Sequence, residues 1–143
     1  MKSTEGRMVR FGAMELRFLV DETDGKGEMV VFEMAVQPDA RVPAAHHHEA
    51  VDECVYGLAG TMTTTLDGVA HEIRPGDSLF IPRGRVHHHA NRHAEAAKAL
   101  IVLTPGSIGR RYFEEMLEMV KAPGKPDMAR VSEVMRRHGL VPA

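Results

Sequence analysis

Two stretches decide how this chain reads: HHHEAVDE over His46 to Glu53, and GDSLFIPRGRVHHHAN over Gly76 to Asn91. Six of the nine histidines fall in the two triplets that these stretches contain. On a strand, successive side chains face opposite sides, so His46 and His48 share a face while His47 points away. Two imidazoles on one face can share a metal ion. A short connection after His48 resets the strand parity and can bring the Glu53 carboxylate to the same point. His87, just past the loop Pro82-Arg83-Gly84-Arg85, can approach from a neighbouring strand. Three neutral imidazoles and one carboxylate suit Fe, Mn, Ni, Co, Cu or Zn, and an octahedral ion would keep about two positions open for water, substrate or oxygen. A lone histidine is commonly a half-exposed surface residue. Clustering combined with strand periodicity reverses that reading here.

The surroundings of the two stretches read as strands. Glu15 to Val20 and Met29 to Val36 flank the turn Asp24-Gly25-Lys26-Gly27, and Gln37-Pro38-Asp39 ends the second of them. Thr61 to Leu66 and Val69 to Ile73 flank Asp67-Gly68, a two-residue loop that supplies the positive φ angles of a type I′ hairpin. Arg74-Pro75-Gly76-Asp77 turns into Ser78 to Ile81, and Lys98 to Leu103 is the last strand of the series. Short strands joined by turns favour a sandwich or barrel. After Ser107 the period changes to that of a helix, with Phe113, Met116, Leu117 and Val120 on one face, ending at Pro123-Gly124. A second helix starts at Asp127, buries Val131, Val134 and Met135, and ends at Gly139. The expected class is all-β with C-terminal helices: a barrel over residues 1–106, and a helical extension over 107–143 packed on the same domain or on a second copy.

With 143 residues the chain has the size of one domain. Eighteen Lys and Arg against twenty Asp and Glu give a net charge of -2, so nucleic acid is a poor partner. Hydrophobic residues at 43% and charged residues at 27% are globular composition. The longest apolar run, Ala99 to Leu103, is far too short to span a bilayer, and the first fourteen residues lack the apolar region of a secretory signal. The expectation is a cytoplasmic protein without a membrane partner. One cysteine, Cys54, excludes an internal disulfide and zinc sites built on paired cysteines, and reads as a small buried hydrophobe. The sequence His48-Glu49-Ala50-Val51-Asp52 approaches the helical zinc-protease signature, but it ends in Asp, and Pro43 with the strand pattern argues against a helix.

Together these residues resemble the cupin superfamily of small β-barrels. His46, His48, Glu53 and Gly60 fit its first motif with the four-residue spacing before the glutamate. Asp39, Ala40 and Arg41 stand where that motif usually has a glycine ahead of the histidines. Gly76, Pro82, Gly84, His87 and Asn91 fill every position of the second motif. The resemblance implies a jelly-roll barrel in which His46, His48, Glu53 and His87 ligate one divalent transition metal ion. It implies that Asn91 ties off the end of its strand. It also implies a homodimer, since related small cupins pair exposed sheet edges or exchange terminal segments.

The family does not determine the reaction. Among metal-dependent enzymes of small molecules, dioxygenase-type chemistry is the leading expectation, because free cis positions can hold substrate and oxygen together. The alternatives are a lyase, decarboxylase or isomerase that uses the metal as a Lewis acid, and a module that binds a small ligand without turnover. His89 shares the strand parity of His87 and is a candidate for a supporting or proton-relay imidazole behind the ligands, or else a polar residue at the barrel mouth. Arg83 and Arg85 read as solvated loop charges in preference to a clamp for a substrate carboxylate. Tyr56 alternates with Glu53 and should face away from the metal.

Overall fold

The computed structural model describes residues 3, 5, 7–40 and 44–143, so Arg41 and Pro43 lie outside the described residues. Among the described residues eleven strands form two antiparallel sheets. The strands are β1 (Met8–Phe11), β2 (Met14–Val20), β3 (Val30–Val36), β4 (His46–His48), β5 (Asp52–Ala59), β6 (Met62–Leu66), β7 (Val69–Ile73), β8 (Ser78–Ile81), β9 (His87–Ala90), β10 (Ala97–Thr104) and β11 (Leu140–Pro142). The larger sheet runs β1-β2-β3-β10-β5-β8, and the smaller runs β11-β4-β9-β6-β7. Helices α1 (Arg110–Lys121) and α2 (Met128–Arg137) precede the last strand. This is the jelly-roll architecture with C-terminal helices, and among the described residues no helix is long and apolar enough to cross a membrane.

The core follows from the two-residue period of the strands. Met14, Leu16 and Phe18 on β2, Val30, Phe32, Met34 and Val36 on β3, and Ala97, Ala99, Ile101 and Leu103 on β10 are all buried, while the residues between them are more exposed. Removing one such aliphatic or aromatic side chain from water contributes roughly 1.5–3 kcal/mol. The Asp67-Gly68 turn has φ of 46° and 83°, which is why β6 and β7 pair in register from Met62 opposite Ile73 to Leu66 opposite Val69.

Turns bring the motif residues to their places through close backbone approach. At Gly57 the turn after β7 crosses β5: Gly57 N–H donates to Asp77 O at 2.9 Å, and Gly76 N–H donates back to Gly57 O at 3.0 Å. Asn91, almost fully buried, donates from Nδ2 to Val36 O at 2.9 Å and Glu95 O at 2.7 Å, while its Oδ1 accepts from His93 N–H at 2.9 Å. It stitches the end of β9 to β3, the structural role the motif implied.

The C-terminal segment departs from expectation in three respects. Tyr112 is the buried residue of α1, whereas Val120 is 55% exposed, so the buried face is rotated toward the helix start. On α2, Met135 is buried but Val131 and Val134 are only partly so. After Gly139, at φ 83°, the chain adds a strand that its sequence does not announce, and β11 pairs with β4 so that Leu140 lies opposite His48 and Pro142 opposite His46. Three residues with a proline are too short and too irregular to show strand periodicity, and only pairing with β4 makes them a strand. Cys54 is likewise only half-buried, on the outer face of the larger sheet opposite Phe80 and Val102.

Glu22 fastens α1 to the barrel. Its carboxylate accepts from the backbone N–H groups of Arg110 at 2.7 Å and Arg111 at 3.1 Å, capping the helix from the far end of β2. Gly109 permits that approach, since a Cβ there would lie 1.7 Å from Glu22 Oε2. The fully buried Asp21 adds an ion pair to Arg110 Nε at 3.3 Å.

A Gly57→Ala substitution should destabilise the protein by about 2 kcal/mol, because overpacking of this kind forces the backbone to shift. The new Cβ would stand 2.1 Å from Arg74 O, which belongs to the backbone and cannot swing aside. Urea denaturation checks this, and an unchanged midpoint would contradict it.

Candidate metal centre

The site is built where β4 and β9 meet. Their antiparallel pairing sets His46 opposite His87, and strand alternation carries His48 and His89 to the same inner face. The rings form a tight group: His46 stacks on His48 with centroids 5.2 Å apart, and His87 lies edge-on to both at 4.8 and 4.7 Å. One donor atom from each of His46, His48 and His87 lies within 4.8 Å of the others. Glu53 enters from β5 of the opposing sheet and groups in the same way with His87 and His89. His87 thus joins the two sets.

Hydrogen bonds settle which ring nitrogens face inward. His46 Nδ1 is 2.9 Å from Ala44 O, and His87 Nδ1 is 3.1 Å from Arg85 O. A carbonyl only accepts, so both Nδ1 atoms carry the proton and both Nε2 atoms are left for the interior. His87 Nε2 is 3.0 Å from Glu53 Oε2, yet it is sealed from solvent without an aligned hydrogen bond. His48 Nδ1 is also buried and without a hydrogen-bond partner. Sealed, unpaired nitrogens beside a buried carboxylate fit the donor set of a metal ion, since such groups otherwise cost stability.

Electrostatics agrees with that donor chemistry. Burial pushes the His46 ring down to about 4 and the His48 ring down to about 3, so both are neutral near pH 7 and have a free lone pair. For His87 burial also opposes protonation, but the Glu53 carboxylate outweighs it and the ring is shifted upward. Burial would raise Glu53, but the His89 and His87 rings, each 3.0 Å from one of its oxygens, hold it well below the usual carboxylate range. A divalent cation would take the place of the proton shared in this neighbourhood.

His89 has a defined station. Its Nε2 is 3.0 Å from Glu53 Oε1, and its Nδ1 is 2.9 Å from Thr64 Oγ1, a fully buried hydroxyl on β6. It therefore holds one oxygen of the carboxylate in place and belongs to the same group of possible donors as Glu53 and His87. Arg83 and Arg85 do not reach the site: Arg83 forms a fork with Asp52 at 3.1 Å, and Arg85 pairs with Asp67. Tyr56 is 43% exposed on the outer face, as its parity requires.

The donors open into a cavity whose other walls are apolar. Met14, Phe32, Met34 and Leu103 come from the barrel, and Ile108, Tyr112, Phe113 and Leu140 come from the C-terminal segment. The cavity encloses about 580 Å³ of empty space, open solvent at its mouth included. Sequence reasoning missed Tyr112 and Leu140 as site residues. The only available signal was Tyr112 standing four residues after the apolar Ile108, one helical turn apart.

The shifted histidines make a sign-definite pH prediction for chelator-treated protein. Unfolded, each ring takes up a proton near pH 6.5, whereas in the fold His46 and His48 stay neutral down to about 4 and 3. Between those values the unfolded chain binds more protons, so both rings lower stability as pH falls from about 6.5 toward 4. His87, shifted upward, works in the opposite sense. A His48→Leu variant should therefore lose less stability between about pH 7 and pH 5 than the parent in urea titrations, and an equal loss would contradict the assignment.

Comparison with known proteins gives this geometry a family. The profile of the cupin domain matches residues 32–103, half of the chain. The quercetin 2,3-dioxygenase of Bacillus subtilis (strain 168) is 29% identical over 106 residues, covering 74% of this chain and 31% of its own length. Among solved structures, the polyketide cyclase RemF of Streptomyces resistomycificus is 32% identical with a TM-score of 0.58, over 65% of this chain and 66% of that one. A sugar phosphate isomerase of Silicibacter pomeroyi DSS-3, itself of the cupin superfamily, is 26% identical with a TM-score of 0.57, over 64% of this chain and 59% of that one. The chain thus spans only part of each of these relatives. With the jelly-roll sheets, both motifs in register and the profile match over β3 to β10, this protein belongs to the cupin family.

Proposed function

We propose that this protein is a metal-dependent enzyme of an oxygen-bearing aromatic or conjugated small molecule, with dioxygenase-type chemistry at a centre held by His46, His48, Glu53 and His87. The observation that carries the reading is the pairing of a buried imidazole and carboxylate cluster with an apolar, aromatic cavity wall made by Phe32, Tyr112 and Phe113. Among the described residues no Lys or Arg lines the cavity, and the two loop arginines are paired with Asp52 and Asp67. A phosphorylated sugar or a small dicarboxylate would find no cationic partner beside the donors, which favours a neutral or enolate substrate. The similarity to a quercetin 2,3-dioxygenase supports the same choice.

A transition metal bound there would supply Lewis acidity and, if redox-active, a route for electrons between substrate and oxygen. The chain does the rest. Glu53, held by His89, places a negative charge at the donors and keeps it fixed by hydrogen bonds to Oε1. The apolar walls exclude water and strengthen every charge interaction within the cavity. Phe113 stands over the cavity on an aromatic cluster, with centroids 6.2, 5.9 and 5.7 Å from Phe11, Phe18 and Phe32. It offers a flat surface for a flat ligand.

A second reading, Lewis-acid cyclisation or isomerisation without oxygen, is favoured by the 32% identity to a polyketide cyclase. Elemental analysis of tag-free protein, followed by oxygen uptake with quercetin, separates the two. The proposal predicts about one Fe, Mn, Ni, Co or Cu per chain, lost in the His46→Ala/His87→Ala double variant, and oxygen consumption that depends on the metal. Stoichiometric Zn with no oxygen uptake would move the assignment to the Lewis-acid reading. Protein that binds no metal after reconstitution would overturn both.

A further inference from the structure

Two kinds of polar group line the cavity: the cluster of His46, His48, Glu53, His87 and His89, and Tyr112, the only polar lining residue outside that cluster among the described residues. Tyr112 is 3% exposed, yet its hydroxyl is not among the sealed polar atoms without a partner, so with no hydrogen bond among the described residues it keeps open space beside it. Its ring is fixed on two sides, edge-on to Phe113 at 4.9 Å and to His138 at 5.3 Å. The helix that carries it is held by the Glu22 cap and by the Asp21–Arg110 ion pair. A phenol in a cavity normally finds a partner for its O–H, and one that has none among the described residues, with open space beside it, has room for an acceptor from outside the chain. Burial shifts this phenol upward, so near pH 7 it is a neutral donor and not a base.

We propose that Tyr112 Oη donates a hydrogen bond to a second oxygen of a ligand whose first oxygen binds at the metal donors, and so sets the orientation of that ligand. The inference rests on the metal-centre reading above. It narrows the substrate class to conjugated hydroxyketones and related enols, which present two oxygens on one rigid frame. A monodentate anion bound at the metal, such as azide, presents no second oxygen to Tyr112. The residue lies in the C-terminal segment beyond the part of the chain matched by the cupin profile, so orientation is set by the extension and metal chemistry by the barrel.

The test uses full-length protein loaded with cobalt(II), titrated by visible absorbance with two probes, 3-hydroxyflavone and azide. Tyr112→Phe removes one oxygen that has no partner within the chain, so the fold and the cobalt content should be unchanged. The expected result is roughly tenfold weaker 3-hydroxyflavone binding with azide affinity unaltered, the effect of losing one hydrogen bond. Unchanged 3-hydroxyflavone affinity, or an equal loss for azide, would overturn the role of Tyr112 while leaving the metal centre standing. Failure of the parent protein to bind 3-hydroxyflavone would do the same. Failure to bind cobalt at all would overturn this inference together with the reading it rests on.

Discussion

The antiparallel pairing of β4 with β9, His46 opposite His87, is the constraint on which the rest of the molecule depends. It draws four imidazoles onto one inner face at ring separations near 5 Å, largely withdrawn from water. Uncompensated, that burial would be costly, because neutral rings lose hydrogen bonds and charged ones repel each other. The carboxylate of Glu53, brought from the other sheet, is the compensation within the chain. It faces His87 and His89 at 3.0 Å each and completes a cluster of groups that could hold a metal ion.

The edges of this arrangement are secured from far along the chain. β4 is only three residues long, and its other edge is covered by β11 at the C-terminal end of the described chain. Backbone bonds from Glu49 N–H to Gly139 O at 3.0 Å and from Ala143 N–H to Ala45 O at 2.9 Å bracket the histidine triplet. The C-terminal extension thus does two things at once: α1 walls the cavity, and β11 braces the strand that holds two of the candidate ligands. A short strand with exposed backbone groups needs such cover to keep its register.

Much of the barrel and of its donor cluster is legible in the order of residues along the chain. The two-residue period of Met29 to Val36, the Asp-Gly turn and the histidine triplets each depend on local physics, and each lies where its spacing requires. Parity alone places His46 and His48 together, and Tyr56 on the outside. The features that are not legible depend on contacts between distant segments. The burial of Tyr112 instead of Val120 follows from where Glu22 holds the start of α1, and nothing local to that helix encodes it. β11 exists only because β4 offers an edge. The partners of His89 cannot be read from one strand, since Glu53 and Thr64 arrive from two others.

The central claim is that one ion sits among His46, His48, Glu53 and His87, and anomalous diffraction from crystals of metal-loaded protein tests it most directly. Data collected above and below the absorption edge of the bound element should show a single strong peak within coordination distance of the three inward imidazole nitrogens and a Glu53 oxygen. A peak elsewhere, or none in crystals shown by elemental analysis to contain the metal, would contradict the account.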